Sequence, residues 1–392
     1  MKHFSIMKLK NITFGLVIVQ ALASCTMKDS DSTGLGEYQT ETITVEEPGI
    51  DTKLLDKSHY SIDSVCSLSM PRDLVYFSVR KFLVKNNKAY IWAASYSDAI
   101  FAFDSNGYRL YRIGGQGRPE NELIDRLSDF FVDGEDNIHI FSQAKQRISV
   151  FDKNGKYLRT TKIWKNNPST IGVTENGRYL YSFAENTCGA ALSICSYENN
   201  IQHELIPFGK EHDEKFPIIQ NFFQNGRRLC HIPLMSDSVL VFDNDKLEKV
   251  VRVNFKGKFI KDMPPKAVIS PLEQNKPTEY EDALCINKYQ ETDSFALLGY
   301  ICGRMGVTRF LLKNKNTKEI SGGRSLFEGF LPYTNAYLLD NKLVILVTDV
   351  DYLKEARRTD EFMEKYNKSD SKIQEIIDGK IRVPAILYIT LK

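Results

Sequence analysis

Five residues of this chain are the best placed by type to hold a ligand: Arg118, Glu120, Glu122, Trp164 and Arg304. Arginine beside aromatic side chains is enriched where binding energy concentrates. Arg118, Glu120 and Glu122 belong to the run Gly114-Gly115-Gln116-Gly117-Arg118-Pro119-Glu120-Asn121-Glu122, and Arg304 to Cys302-Gly303-Arg304-Met305-Gly306. The glycines before Arg118 are not a phosphate cradle. A cradle needs a helix whose first amides face the anion, whereas Pro119 and a strand pattern follow here.

Catalytic patterns are missing from the sequence. The six histidines are His3, His59, His139, His203, His212 and His231, and none forms His-x-His or His-Glu-x-x-His. A zinc hydrolase is therefore poorly supported. There is no Gly-x-Ser-x-Gly elbow. His139 alternates with Ile138 and Ile140, the pattern of a structural strand residue. Asp133-Gly134-Glu135-Asp136-Asn137 lacks the spacing and closing glutamate of a calcium loop and reads as a β-turn. No catalytic residue, metal ligand or cofactor is assigned.

These residues need a scaffold, and the chain spells one by repetition. A run ending in Phe-Asp or a close variant, followed by an Asn-rich turn, recurs at Phe103-Asp104-Ser105-Asn106-Gly107, Phe151-Asp152-Lys153-Asn154-Gly155, Tyr197-Glu198-Asn199-Asn200 and Phe242-Asp243-Asn244-Asp245. The aromatic positions lie 48, 46 and 45 residues apart. Several short strands within a period near 45 specify an all-β propeller. Six four-stranded antiparallel blades fit the chain. They begin near Phe77, Leu127, Thr170, Phe222, Ala283 and Phe330, and the last ends in Ala385–Leu391. The sixth blade lacks a fourth strand of its own. Its outer strand must come from the N-terminal part, around Ile43-Val45 or Val65-Leu68.

Strand alternation gives the ring two unlike rims. The short turns all fall on one rim. The long connections, Gly114–Asp125, Pro207–Gln220, Lys256–Glu281 and Asp351–Lys380, fall on the other. The last carries apolar residues at helical spacing and predicts a helical insertion over about 351–380. Binding residues concentrate on loops held by a rigid scaffold.

The first residues read as an address. Lys2, Lys8 and Lys10 precede a short apolar stretch, Ile12–Leu22, which is too short for a permanent span. Leu22-Ala23-Ser24-Cys25 is similar to a bacterial lipoprotein cleavage site. Residues 1–24 would then be a signal peptide, and Cys25 the acylated first residue of the mature chain. Residues 25–59 are polar and read as a flexible tether, and 60–392 as the propeller. The 392-residue chain carries a net charge of +2, and losing the three leader lysines takes it to −1. That balance, with no basic run interleaved with aromatics, argues against a nucleic-acid binder. Six cysteines remain, of which Cys188 and Cys195 flank a hairpin and are the best-placed pair for a disulfide.

Four segments together resemble a known family. They are Ile113–Glu122, Asp129-Phe130-Phe131-Val132-Asp133 with Ile148–Lys156, and the ending Arg382-Val383-Pro384-Ala385-Ile386-Leu387-Tyr388. They resemble the six-bladed β-propeller lipoproteins of Bacteroides-type bacteria, over roughly residues 60 to 392. The resemblance implies the fold and the closing strand. At the hallmark loop this chain departs, with Arg118 before Pro119 and Leu123 in place of an aromatic. The expected function is a non-enzymatic, membrane-tethered binding propeller, held by its lipid in the outer envelope. It would present its long-loop face to a protein, peptide or glycan. The alternative is a calcium-dependent hydrolase or lactonase with a central-channel site, whose ligands would come from distant segments.

Overall fold

The computed structural model describes residues 38–48, 57–70, 78–94, 98–114, 127–163, 168–183, 190–195, 201–207, 221–233, 236–259, 282–302, 307–323, 335–350 and 371–392. They form a six-bladed β-propeller of antiparallel sheets. Blade 1 is Ser78–Lys85, Lys88–Ala94, Ala99–Phe103 and Arg109–Gly114. Blade 2 is Asp129–Val132, Ile138–Ser142, Arg147–Phe151 and Tyr157–Lys162. Blade 3 is Thr170–Val173, Tyr179–Ser182, Ala190–Cys195 and Ile201–Pro207. Blade 4 is Phe222–Asn225, Arg228–His231, Ser238–Asp243 and Lys246–Asn254. Blade 5 is Ala283–Glu291, Phe295–Cys302, Val307–Asn314 and Ile320–Gly323. Blade 6 takes Ala336–Leu339, Lys342–Val347 and Ala385–Leu391, and its outer strand is Tyr60–Ser67.

Burial follows strand order. The middle strands are covered on both faces by neighbouring blades, so they read as unbroken apolar runs rather than alternating ones. All five residues of Ala99-Ile100-Phe101-Ala102-Phe103 are buried. Each buried Phe there contributes about 2–3 kcal/mol by area removed from water. The outer strand Tyr157–Lys162 has one covered face and is mostly exposed or half-buried.

The repeated Phe-Asp motif is a turn device. Asp104 Oδ1 accepts the amides of Asn106 and Tyr108, both at 2.9 Å. Asp152 Oδ1 accepts those of Asn154 and Lys156, at 2.9 and 2.8 Å. The aspartate thus replaces missing backbone partners. Gly155 follows at φ +78°, and an added Cβ there would sit 2.6 Å from the Tyr111 ring of the preceding blade. Asp133 uses the same geometry toward Glu135 and Asn137, which makes 133–137 the expected turn.

Of the two sequences expected to close the ring, the one containing Val65 does so. Tyr60 pairs with Leu391 and Ser67 with Ala385. The one containing Ile43 does something else. Gln39–Thr44 lies parallel to Lys246–Asn254 and adds a fifth strand to blade 4. The stretch 25–59 is therefore not a uniform tether. Ile43 and Val45 are buried with Val251, Val253 and Phe255. Glu41 bonds Lys249 at 3.0 Å and Lys313 of blade 5 at 2.9 Å. Burial alone would raise the Glu41 carboxyl, but these two ammonium groups prevail and hold it at about 2.

The 351–380 insertion contributes one described helix, Ser371–Ile377, which buries Ile373, Ile376 and Ile377. They pack with blades 5 and 6. Cys195 is buried in blade 3, and Cys188, the partner the spacing offered it, lies outside the described residues.

Candidate functional site: the central channel

The ring encloses a channel walled by the six inner strands, each of which starts at the rim of the long connections. Toward the opposite rim, polar side chains reach across the axis and close it. Gln224 of blade 4 accepts the amide of Val132 in blade 2 at 3.2 Å and donates to the carbonyl of the same residue. Tyr337 of blade 6 donates its hydroxyl to the Gln224 carbonyl at 2.7 Å. Gln290 of blade 5 accepts the amide of Leu338 at 3.0 Å. Lys85 of blade 1 donates to the Val132 carbonyl at 3.1 Å and bonds Glu175 of blade 3. These bonds involve all six blades.

Above this floor lies a cavity of about 520 Å³. Arg80, Lys81 and Lys288 bring positive charge to it, and Phe82, Trp92, Phe223, Phe310 and Tyr337 give it apolar walls. Lys81 bonds Asp129 at 2.7 Å and lies 3.5 Å from the centroid of the Phe131 ring. Burial drives Lys81 down and Asp129 up, so the pair is pushed toward its neutral form despite their mutual attraction. The Lys288 ammonium donates to the Ala336 carbonyl, and burial pushes it down to about 7. Asn287 also lines the cavity, and its Oδ1 is buried without a hydrogen-bond partner.

Chemically, the cavity can bind and orient. Among the described residues, no group of three or more His, Cys, Asp or Glu converges as a metal cluster would. His139 is the structural residue its alternation implied. It is fully buried, with Nδ1 3.0 Å from the Tyr179 hydroxyl and Nε2 2.9 Å from Asp133.

All five residues nominated from the sequence, Arg118, Glu120, Glu122, Trp164 and Arg304, lie outside the described residues, as does Cys25. The channel residues were missed. Their signal was a charge or amide within an inner strand that is otherwise apolar, as with Lys81 before Phe82-Leu83-Val84, Asp129 before Phe130-Phe131-Val132, and Lys288 and Gln290 around Tyr289.

Among known proteins, a family described as a domain of unknown function, DUF4934, matches residues 76–380. A Bacteroides fragilis protein described as exported is similar over 90% of this chain and 99% of its own, with 16% identity and a TM-score of 0.64. A Bacteroides vulgatus member of the DUF4221 family is similar over 86% of this chain and 99% of its own, with 12% identity and a TM-score of 0.49. No curated protein matches the chain. The chain belongs to the DUF4934 family.

Proposed function

We propose that this DUF4934 propeller is a non-enzymatic binding protein of the bacterial envelope. It is tethered through lipid on Cys25 and presents its long-connection rim to a protein, peptide or glycan. The observation that carries the reading is the direction of the N-terminal strand. Gln39 pairs with Lys249 near the start of the outer strand of blade 4, and Thr44 with Asn254 at its end. Tyr38 and Gln39 share a cleft with Asn176 and with the hairpin Asp243–Glu248, on the rim of short turns. By Pro48 the chain has reached the other rim, where its carbonyl accepts the Tyr300 hydroxyl at 3.2 Å. The anchor therefore joins the ring at the hairpin rim.

Cys25 and Gln39 are 14 positions apart, which limits the fully extended reach to about 50 Å. A hairpin rim held near the bilayer leaves the long-connection rim facing away, where all four long connections begin and end. The outer-membrane location is an extension of the Cys25 reading. No helix among the described residues is long and apolar enough to cross a membrane.

The test is capture from envelope extract by the lipidated chain. Bound partner should be lost when segments 208–220 and 260–281 are each replaced by a short Gly-Ser linker. Unchanged capture by both variants, or by a variant in each of the four long connections, would count against the proposal.

A further inference from the structure

We propose that the hairpin rim at blades 1 and 2 is a seat for the surface of an anionic lipid bilayer. Tyr108, Leu110 and Leu158 enter the headgroup boundary there, and Arg109, Lys153 and Lys156 meet the lipid phosphates. This goes beyond the proposed tether, which joins the ring at blade 4 and does not fix its orientation. It rests on the tether only for bringing the rim to a membrane.

Among the described residues, four large apolar side chains are exposed: Tyr38, Tyr108, Leu110 and Leu158. Surface apolar residues scattered singly need no explanation. These are not scattered. Each stands at or just before the start of a strand that leaves the hairpin rim: Tyr38 before Gln39–Thr44, Tyr108 and Leu110 at Arg109–Gly114, and Leu158 at Tyr157–Lys162. Tyr108 is 68% exposed, and the two leucines are 47% and 46% exposed.

The leucines occupy equivalent irregularities. Arg109 pairs with Phe103 and Tyr111 with Ala102, so Leu110 is an extra residue without a cross-strand partner. Tyr157 pairs with Phe151 and Arg159 with Val150, so Leu158 is extra in the same way. A bulge re-aims a side chain. Blade 4 has the same bulge at Glu248, whose carboxylate bonds Arg228 at 2.9 and 3.1 Å. The position therefore accepts a charge, and packing does not demand leucine. The two leucine bulges share one surface, because the Gly155 turn of blade 2 rests on the Tyr111 ring of blade 1.

Charge fits the same partner. The stretches 103–114 and 151–163 carry six bases against two acids, a net of +4, whereas 242–254 in blade 4 carries three of each. The two acids, Asp104 and Asp152, each accept two turn amides. Arg109, Lys153 and Lys156 are exposed beside the leucines. Basic side chains drawn to an anionic leaflet, with tyrosine at headgroup level, suit a membrane interface. Three apolar side chains fall short of a stable protein interface, about 800 Å² per partner. A bilayer already held close by a tether needs only a weak contact.

The experiment is sedimentation of the unlipidated chain, residues 26–392, which carries every described strand. Two vesicle probes are used: phosphatidylcholine alone, and equal parts of phosphatidylcholine and phosphatidylglycerol. Anionic vesicles should bind about ten-fold or more tighter than neutral ones, and salt raised from about 0.05 to about 0.5 M should remove that preference. Leu110→Ser with Leu158→Ser, and Arg109→Glu with Lys156→Glu, all at exposed positions, should each weaken binding about ten-fold. Lys318→Glu, an exposed base on the same rim at blade 5, should stay within about two-fold. No preference for anionic vesicles, unchanged binding in the leucine variant, or an equal loss in Lys318→Glu would each overturn the proposal. So would a dimer that the leucine variant abolishes, because the surface would then fit a second copy. The Cys25 lipid is absent throughout, so failure here leaves the tether standing, and failure of the tether leaves vesicle binding intact.

Discussion

Gln224 and Val132 hold each other across the channel axis, from blade 4 to blade 2. One amide side chain satisfies both the N–H and the C=O of a single buried residue. The Lys85 ammonium shares the same carbonyl. Gln224→Leu would leave the Val132 amide unbonded in a buried setting. An orphaned buried polar group costs about 1–3 kcal/mol. We expect a loss of about 2–3 kcal/mol in urea unfolding with an unchanged m-value. A change below 0.5 kcal/mol would mean that the floor is not structural.

Lys81 and Asp129 make a different kind of pair, because both are ionisable groups whose side chains are only 9% and 2% exposed inside the ring. Removing one partner strands the other, which costs about 3–5 kcal/mol, whereas removing both together is much cheaper. Asp129→Leu and Lys81→Met should each be strongly destabilising. The double variant should recover most of that loss. A double-mutant cycle whose effects simply add would contradict the coupling.

Stability should also depend on pH through His231. Burial pushes its imidazole down to about 3, and Nε2 lies 3.2 Å from both Asn221 and Ser182. The unfolded chain therefore takes up the proton first, at its ordinary value near 6.5. Stability from this group is complete above pH 6.5 and falls as pH drops toward 3. The slope approaches about 1.4 kcal/mol per pH unit for one proton. In His231→Phe the fall between pH 6.5 and 5 should be shallower than in wild type by about that amount per unit. Parallel curves for the two proteins would remove His231 from the account.

The blades were legible because their turns are written locally. Asp104 and Asp152 each satisfy amides two and four residues on, so motif and geometry lie in the same five residues. Ring closure was half legible. Ile43 and Val65 both sit in strand-like sequence, but what separates them is the partner each finds more than 200 residues away, Val253 for Ile43 and Leu387 for Val65. The channel left only a faint trace, a charge or amide set within an apolar inner strand. Lys81, Asp129 and Lys288 look like ordinary charged positions in their own strands. They become a buried cluster only when the ring closes, which no local pattern records. Of the insertion expected over 351–380, the described helix Ser371–Ile377 buries Ile373, Ile376 and Ile377, and 351–370 lie outside the described residues.

The proposed lipid tether would hold the ring to a membrane by its hairpin rim. It can be measured on the lipidated chain in vesicles containing nitroxide-headgroup lipid. One fluorophore goes on Glu135→Cys, in an exposed turn of the hairpin rim, and another on Ala144→Cys, in an exposed turn of the opposite rim of the same blade. Quenching should be strong at 135 and weak at 144, and Cys25→Ser should abolish both by releasing the protein. Equal quenching, or stronger quenching at 144, would contradict the claim.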